Sequence, residues 1–254
     1  MTVQLHEDFS GKVVIVTGAG SGIGRAAARA FARAGARVLG VGRRDDALAE
    51  TAVGHPEIVA CSADVRAPDT PGRLIDEATD RWGRLDVLVN GAGATKVMPL
   101  AETTAGGIAD LFDLNVTAPS MLAHAALPHL RRAKGSIVNV SSTYGHRPLP
   151  GMAHYAASKA ALEQLTRSWA LELAADGVRV NAVAPGPTES EALAAAGLSE
   201  TTVEEIKRDE AARIPLGRRG EPHEVASWIL RLADPATTWL TGHVLTIDGG
   251  LELI

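Results

Sequence analysis

The chain has 254 residues, 46% of them hydrophobic, enough for the core of one α/β domain, and a net charge of -5. Acidic and basic residues are interspersed, so no basic stripe favours nucleic acid as a partner and no block of like charge reads as a tail. The one cysteine, Cys61, supplies neither a disulfide framework nor a metal cluster and reads as a small buried core residue; without a signal-like start or an apolar run of the ~20 residues that span a bilayer, the expectation is a soluble cytoplasmic protein with no membrane partner.

The first element is KVVIVTG, residues 12–18, a short β-branched run that reads as a buried strand. It leads directly into TGAGSGIG, which places Gly18, Gly20, Gly22 and Gly24 at the opening of an Ala-rich helix over 24–35. Glycine lets backbone approach a pyrophosphate closely, and a helix start offers N–H groups and the positive end of its dipole. A second strand, ARVLGVG (36–42), ends at Gly42 and is followed by Arg43 and Arg44. In the general dinucleotide fold an acid at this strand end bonds a ribose 2′-hydroxyl, and an arginine accommodates a 2′-phosphate. EIVACSAD (57–64) reads as the third strand and PGRLIDEATDRWG (71–83) as a helix. LDVLVNGAG (85–93) reads as the fourth strand, and a single long helix is expected from Thr103 to Arg132.

The fifth strand, GSIVNVSS (135–142), ends on Ser141 and Ser142; a hydroxyl there is placed to donate to a substrate oxygen. The helix that follows, over 153–177, begins AHYAASKAAL. Residues at i and i+4 share a helix face, so Tyr155 and Lys159 stack, with only Ala156, Ala157 and Ser158 between them. A free tyrosine, with a pKa of ~10, is a poor acid at neutral pH, and a cation about 4 Å away is expected to lower it by up to roughly three units. VRVNAVAPG (178–186) reads as the sixth strand. From Thr188 to Arg213 a charged, helical insertion interrupts the alternation and is expected to act as a lid. HVLTIDGG (243–250) reads as the last strand. The alternation implies a single α/β domain over 1–254, a Rossmann-like doubly wound parallel sheet with helices on both faces and ligands at the carboxyl ends of its strands.

The loop Thr17-Gly18-Ala-Gly-Ser-Gly22-Ile23-Gly24 together with Tyr155-x-x-x-Lys159 resembles the TGxxxGxG and YxxxK signatures of the short-chain dehydrogenase/reductase family. The likeness runs in order through Asp64-Val65, Asn90-Gly91-Ala92-Gly93, Asn115, Ser142, and Pro185-Gly186 to Thr188, and the closing segments RIPLGRRGEPHEVA and LTGHVLTIDGG are similar too. NADP(H)-preferring reductases of the 3-oxoacyl reductase type are the branch it is most like. The resemblance implies cofactor contacts from Gly18, Ser21, Gly22, Ile23, Gly24, Arg43, Arg44, Asp64, Val65, Asn90, Gly91, Ala92, Gly93, Tyr155, Lys159, Pro185, Gly186 and Thr188. It also implies a catalytic set of Asn115, Ser142, Tyr155 and Lys159, with a local helix break at Asn115 and a proton relay from it to Lys159. The family's second Asn of Asn-Asn-Ala-Gly is replaced by Gly91, which removes a side chain that braces the central strands. Gly42 stands where NAD-binding members carry their acid, so NADP(H) is favoured over NAD(H).

The expected activity is hydride transfer between nicotinamide and a ketone or secondary alcohol, Tyr155 serving as general acid/base. The competing reading, a non-catalytic dinucleotide-binding scaffold, needs none of Asn115, Ser142, Tyr155 and Lys159. His6, His55, His124, His129, His146, His154, His223 and His243 are scattered without ligand spacing, so no metal site is expected. His146 and His154 flank the presumed substrate mouth, with Thr95, Lys96, Val97, Tyr144, Leu149 and Met152 as further lining candidates. The resemblance implies a homotetramer, for which Trp169 and Leu173 offer apolar helix surface.

Overall fold

The computed structural model describes residues 8–190 and 199–254. Seven strands, β1 (Val13–Thr17), β2 (Arg37–Gly42), β3 (Ile58–Ser62), β4 (Val87–Asn90), β5 (Ser136–Val140), β6 (Arg179–Pro185) and β7 (Val244–Ile247), form one sheet in the order β3-β2-β1-β4-β5-β6-β7. Every pairing is parallel. The order reverses between β1 and β4, and this is where the loops at the carboxyl ends diverge and leave a crevice.

Strand alternation sorts the side chains into two layers. Val14, Val16, Val38, Val89, Val138 and Val183 point to one face, where they meet α1 (Gly22–Arg33) and the helix Pro222–Ala233 through Ala27, Phe31, Val225 and Ile229. Val13, Ile15, Leu39, Leu88, Ile137 and Val180 point to the other. There α3 (Thr70–Trp82), α5 (Ala118–Ala133) and α6 (Ala153–Leu173) bring Leu74, Leu122, Leu130 and Leu173. Alanines at 27, 28 and 32 let α1 lie close to its neighbours, and Phe31 packs edge-on to Phe9, centroids 4.9 Å apart.

The structure departs from the sequence reading in several places. The two edge strands are not buried: β3 is exposed at alternate positions and β7 is half-buried throughout. Cys61, on β3, is accordingly half-buried, not a sealed core residue, and its partial burial pushes its thiol pKa up. The expected helix from Thr103 to Arg132 is two helices, α4 (Ala105–Phe112) and α5, joined by a π-helical turn over Asp113–Thr117. A short α2 (Asp45–Ala52) follows β2, its acidic first turn matching the helix dipole. Of the expected lid, residues 191–198 lie outside the described residues, and α7 (Glu200–Arg213) occupies the remainder. The last helix, α8 (Pro222–Ala233), starts with a capping box between Glu221 and Glu224 and with proline in its first turn. None of the described helices is long and apolar enough to cross a membrane.

Candidate active site

The glycine loop is shaped by what its residues lack. A Cβ on Gly24 would sit 2.2 Å from Gly18 O, so only glycine lets the first turn of α1 press onto the loop. Gly18 has φ +74°, and a Cβ there would lie 2.6 Å from Gly91 O. The carbonyls of the loop are drawn outward: Thr51 Oγ1 donates to Ala19 O at 2.8 Å and Arg25 Nη2 to Gly20 O at 2.6 Å. Ser21 is the N-cap of α1 in extended conformation, and its side chain caps none of the first-turn N–H groups at Gly22, Ile23 and Gly24. That set of N–H groups at a helix start is an anion cradle.

Thr17 ties this loop to the next one. Its buried Oγ1 accepts from both Gly91 N and Ala92 N at 3.1 Å and donates to Val89 O. A Cβ on Gly91 would meet Thr17 O at 2.6 Å, so in this chain the absent side chain lets β4's loop close against β1. The bracing comes from elsewhere: Asn90 Nδ2 donates to Asn139 Oδ1 and Asn139 Nδ2 to Thr166 Oγ1, both at 2.8 Å, while the buried Asn90 Oδ1 has no partner among the described residues.

Arg43 and Arg44 are exposed at the end of β2, Arg44 as N-cap of α2. A Cβ on Gly42 would lie 3.7 Å from Gly20 N, so this position looks onto the glycine loop. Asp64 is held by Arg66 Nη2 at 2.6 Å, which with weaker help from Arg43 keeps its carboxyl low, at about 2. The Val65 side chain belongs to the core, leaving its backbone at the crevice. On the far side, Gly186 N bonds Ile247 O at 3.0 Å just after Pro185, and Thr188 Oγ1 donates to Gly186 O.

The chemistry-bearing side chains converge where β4, β5 and α6 meet. Asn115 lies in the π-helical turn, which turns its side chain inward: Oδ1 accepts from Ala94 N, and Nδ2 donates to Ala94 O and to Ser158 Oγ. Lys159 Nζ donates to Val140 O at 2.9 Å and sits 5.9 Å from the Tyr155 ring centroid. Ser142 hydrogen-bonds Tyr155 and accepts from Tyr144 N at 3.2 Å. Asn115, Ser142, Tyr155 and Lys159 are all buried. The structure therefore brings the four together from three stretches of chain, Tyr155 and Lys159 sharing α6.

Burial sets the charge balance. It pushes the Tyr155 hydroxyl above its ordinary value, against the Ser142 bond, and lowers Lys159 to about 8 against the pull of Glu163. The expected lowering of the tyrosine is thus reversed here, because desolvation outweighs the Ser142 hydrogen bond.

The wall around Tyr155 is apolar: Met98, Ile108, Leu111, Tyr144, Leu149 and Met152. Thr95, Lys96 and Val97 are exposed beside it. The two mouth histidines are both engaged within the chain. His146 is fixed between Glu163 and Glu252, and His154 Nε2 contacts Thr103 Oγ1 at 3.3 Å. His6 lies outside the described residues, and among those described no group of His, Cys, Asp and Glu is arranged to hold a metal ion. Leu173 is a core residue and Trp169 packs partly into the same layer; the large apolar residue that α6 exposes is Leu171, 84% accessible. Sequence reasoning named Thr17 only as the start of the glycine loop, without its tie to Gly91 and Ala92, and overlooked Arg25, Asn139 and Thr166, polar residues inside apolar or helical runs.

A parallel sheet with its glycine loop, tyrosine and lysine around one crevice defines a dinucleotide-dependent oxidoreductase. A family model described as enoyl-(acyl carrier protein) reductase matches residues 18–252. The 3-oxoacyl-[acyl-carrier-protein] reductase FabG of Thermotoga maritima is 38% identical over 96% of this chain and 99% of its own. The cis-4-hydroxycyclohexanecarboxylate dehydrogenase of Sinomonas cyclohexanicum is 39% identical over 98% of this chain and all of its own. A short-chain dehydrogenase/reductase of unknown function from Caenorhabditis elegans, solved with cofactor, superimposes with TM-score 0.91 at 36% identity, covering 97% of each chain. The chain belongs to the short-chain dehydrogenase/reductase family, is similar to its 3-oxoacyl reductases, and is an oxidoreductase enzyme that uses a nicotinamide cofactor.

Proposed function

We propose that this enzyme interconverts a ketone and a secondary alcohol with NADP(H), Tyr155 being the acid/base. The observation that carries the reading is the buried convergence of Ser142, Tyr155, Lys159 and Asn115 beside an apolar wall. The chain's own residues fit a dinucleotide: a glycine loop packed so tightly on backbone that neither Gly18 nor Gly24 admits a Cβ, the uncapped start of α1, and the unpartnered Asn90 Oδ1. When bound, the cofactor supplies or accepts the hydride. Gly18, Ser21, Gly22, Ile23 and Gly24 would hold its pyrophosphate; Asp64, Val65, Asn90, Gly91, Ala92 and Gly93 would line its adenosine side; Pro185, Gly186 and Thr188 would line its nicotinamide end. Arg43 and Arg44, with no acid at Gly42, favour a 2′-phosphate.

Within this reading Ser142 donates to the substrate oxygen and Tyr155 passes its proton to the developing alkoxide. Lys159 is poised by burial, its ammonium only weakly favoured, so that it stabilises charge at the tyrosine and returns a proton along Asn115. The reading also takes 1–254 as one catalytic domain in the cytoplasm, with the segment at 188–213 as its lid. Arg219, buried, supports the lid role: it pairs with Glu210 of α7 and with Glu189, and donates to Thr188 O. Exposed Leu171 on α6 and the uncovered edge of β7 support a homotetramer.

The names of the relatives suggest the assay panel: an acetoacetyl thioester, 4-oxocyclohexanecarboxylate and L-fucose, each with NADPH or NADH in the matching direction. Turnover of a carbonyl or carbinol with NADP(H) preferred supports the reading. Tight NADPH binding without turnover on a broad ketone panel supports the scaffold instead.

A further inference from the structure

Ser142 opens a turn, residues 143–147, that is held on its outer side by the segment following β7. Thr143 Oγ1 donates to Asp248 Oδ2 at 3.1 Å, and the same carboxylate accepts from Gly250 N and Glu252 N at 2.9 and 2.8 Å. His146 Nε2 lies 2.7 Å from Glu252 Oε2, and its Nδ1 lies 3.3 Å from Glu163 Oε1. Glu252 Oε2 also accepts from Thr246 Oγ1 at 2.9 Å. Arg147 Nε and Nη2 donate to Ile254 O at 3.2 and 3.0 Å. On the inner side, Glu163, 3% exposed, accepts from Ser141 Oγ at 2.8 Å. A Cβ on Gly145 would lie 2.4 Å from Glu163 Oε1, so the turn is pressed against that carboxylate.

A hydroxyl rotor that must face both a substrate oxygen and Tyr155 gains from a fixed backbone, since small misplacements of a donor are costly in rate. The turn has no regular structure beyond a single 3-10 turn over Thr143–Gly145, and it depends on side chains for its position. We propose that His146 and Glu252 are positioning residues for the reaction: their hydrogen bond clasps the segment after β7 onto the turn and thereby fixes Ser142 toward Tyr155. The inference rests on Ser142 being the substrate-facing donor.

The test uses the full chain and whichever panel ketone the wild type reduces. His146→Ala, Glu252→Ala, their double variant, Glu252→Gln and Ser142→Ala are compared by kcat, NADPH Kd from fluorescence, thermal unfolding, and the isotope effect with 4-deuterated NADPH. For each single alanine variant the expected result is a kcat fall of about tenfold, an NADPH Kd unchanged within about twofold and a larger isotope effect, because only the chemical step is disturbed. The double variant should be no slower than either single one, since both break the same contact. Glu252→Gln, whose amide oxygen still accepts from the ring, should recover most of the rate; it also serves as the reading should Glu252→Ala unfold. Singles with wild-type kcat, losses that multiply in the double variant, or a Glu252→Gln no faster than Glu252→Ala would each overturn the clasp. Ser142→Ala separates the two claims: an unimpaired Ser142→Ala sinks the donor assignment itself, whereas an inactive Ser142→Ala beside unaffected clasp variants sinks only the clasp.

Discussion

Lys159 and Asn115 meet across a missing side chain: a Cβ on Gly93 would lie 3.2 Å from both Lys159 Nζ and Asn115 Oδ1. Gly93→Ala therefore pushes apart the two groups proposed to relay a proton while leaving the strands untouched. At 3.2 Å each side-chain end must give by a few tenths of an ångström, and the expected outcome is a kcat loss of roughly tenfold with little change in thermal stability. Steady-state kinetics beside a melting curve decide it.

Tyr155→Phe should remove the transferable proton and nothing else. Turnover is expected to fall by about two to four orders of magnitude, with NADPH affinity retained. A variant keeping a tenth or more of the wild-type rate (about 1.4 kcal/mol in barrier) would show that another group is the acid.

Lys159 gives a pH signature. Its pKa falls from 10.5 unfolded to about 8 folded, so the folded state disfavours the charge. Below about pH 8 the chain bears the whole cost, and stability rises as pH climbs from about 8 toward 10.5. The raised Tyr155 pKa acts in the other direction only above its ordinary 10.0. At 1.36 kcal/mol per unit the cost is about 3 kcal/mol. Lys159→Met should then be the more stable protein at pH 7 and lose that advantage by pH 10, though it no longer turns over. Urea midpoints at the two pH values measure this; a constant difference contradicts it.

Gly42→Asp has room, since its Cβ would meet Leu48 Cδ2 at an ordinary 3.4 Å. A carboxylate there repels a 2′-phosphate and accepts from a 2′-hydroxyl, so preference should move toward NADH. Changing Arg43 and Arg44 to Ala should weaken NADPH selectively, each lost charge-assisted bond being worth about 1.5–3 kcal/mol. The quantity is the ratio of kcat/KM values for the two cofactors. If it stays constant in both variants, the arginines are merely solvated.

Leu171→Glu should dissociate the proposed tetramer, because a charge replaces an 84% exposed leucine on α6 without touching the core. Sedimentation at micromolar concentration reads it. A wild type already monomeric removes the premise.

What could be read from the residues was whatever depends on local spacing. The glycine cluster, the i,i+4 pair Tyr155/Lys159 and the five central strands are periodic or contiguous signals, and they stand where the spacing put them. Position in the sheet was not legible: nothing within EIVACSAD or HVLTIDGG says that it forms an edge, so its exposure had to come from the strand order. The π turn over Asp113–Thr117 left no mark in the apolar pattern, and only the family resemblance pointed to a break at Asn115. Eight-residue α2 is too short for periodicity to speak. Partnerships across distance were silent as well, such as His146 with Glu252, 106 residues apart. The placement of Leu173 was available and missed: it follows Tyr155 by 18 residues, five full turns, and so shares its buried face.

The bond from Thr17 to Gly91 and Ala92 joins segments more than 70 residues apart and builds one wall of the crevice from both. Until β4 docks on β1, the glycine loop has only half a receptacle. Nucleotide affinity should therefore arise late in folding, after a slow, high-separation loop closure, and not with the first βαβ unit to emerge. A ligand that recognises only the closed arrangement then acts as a pharmacological chaperone, drawing newly made chains toward the native state by mass action.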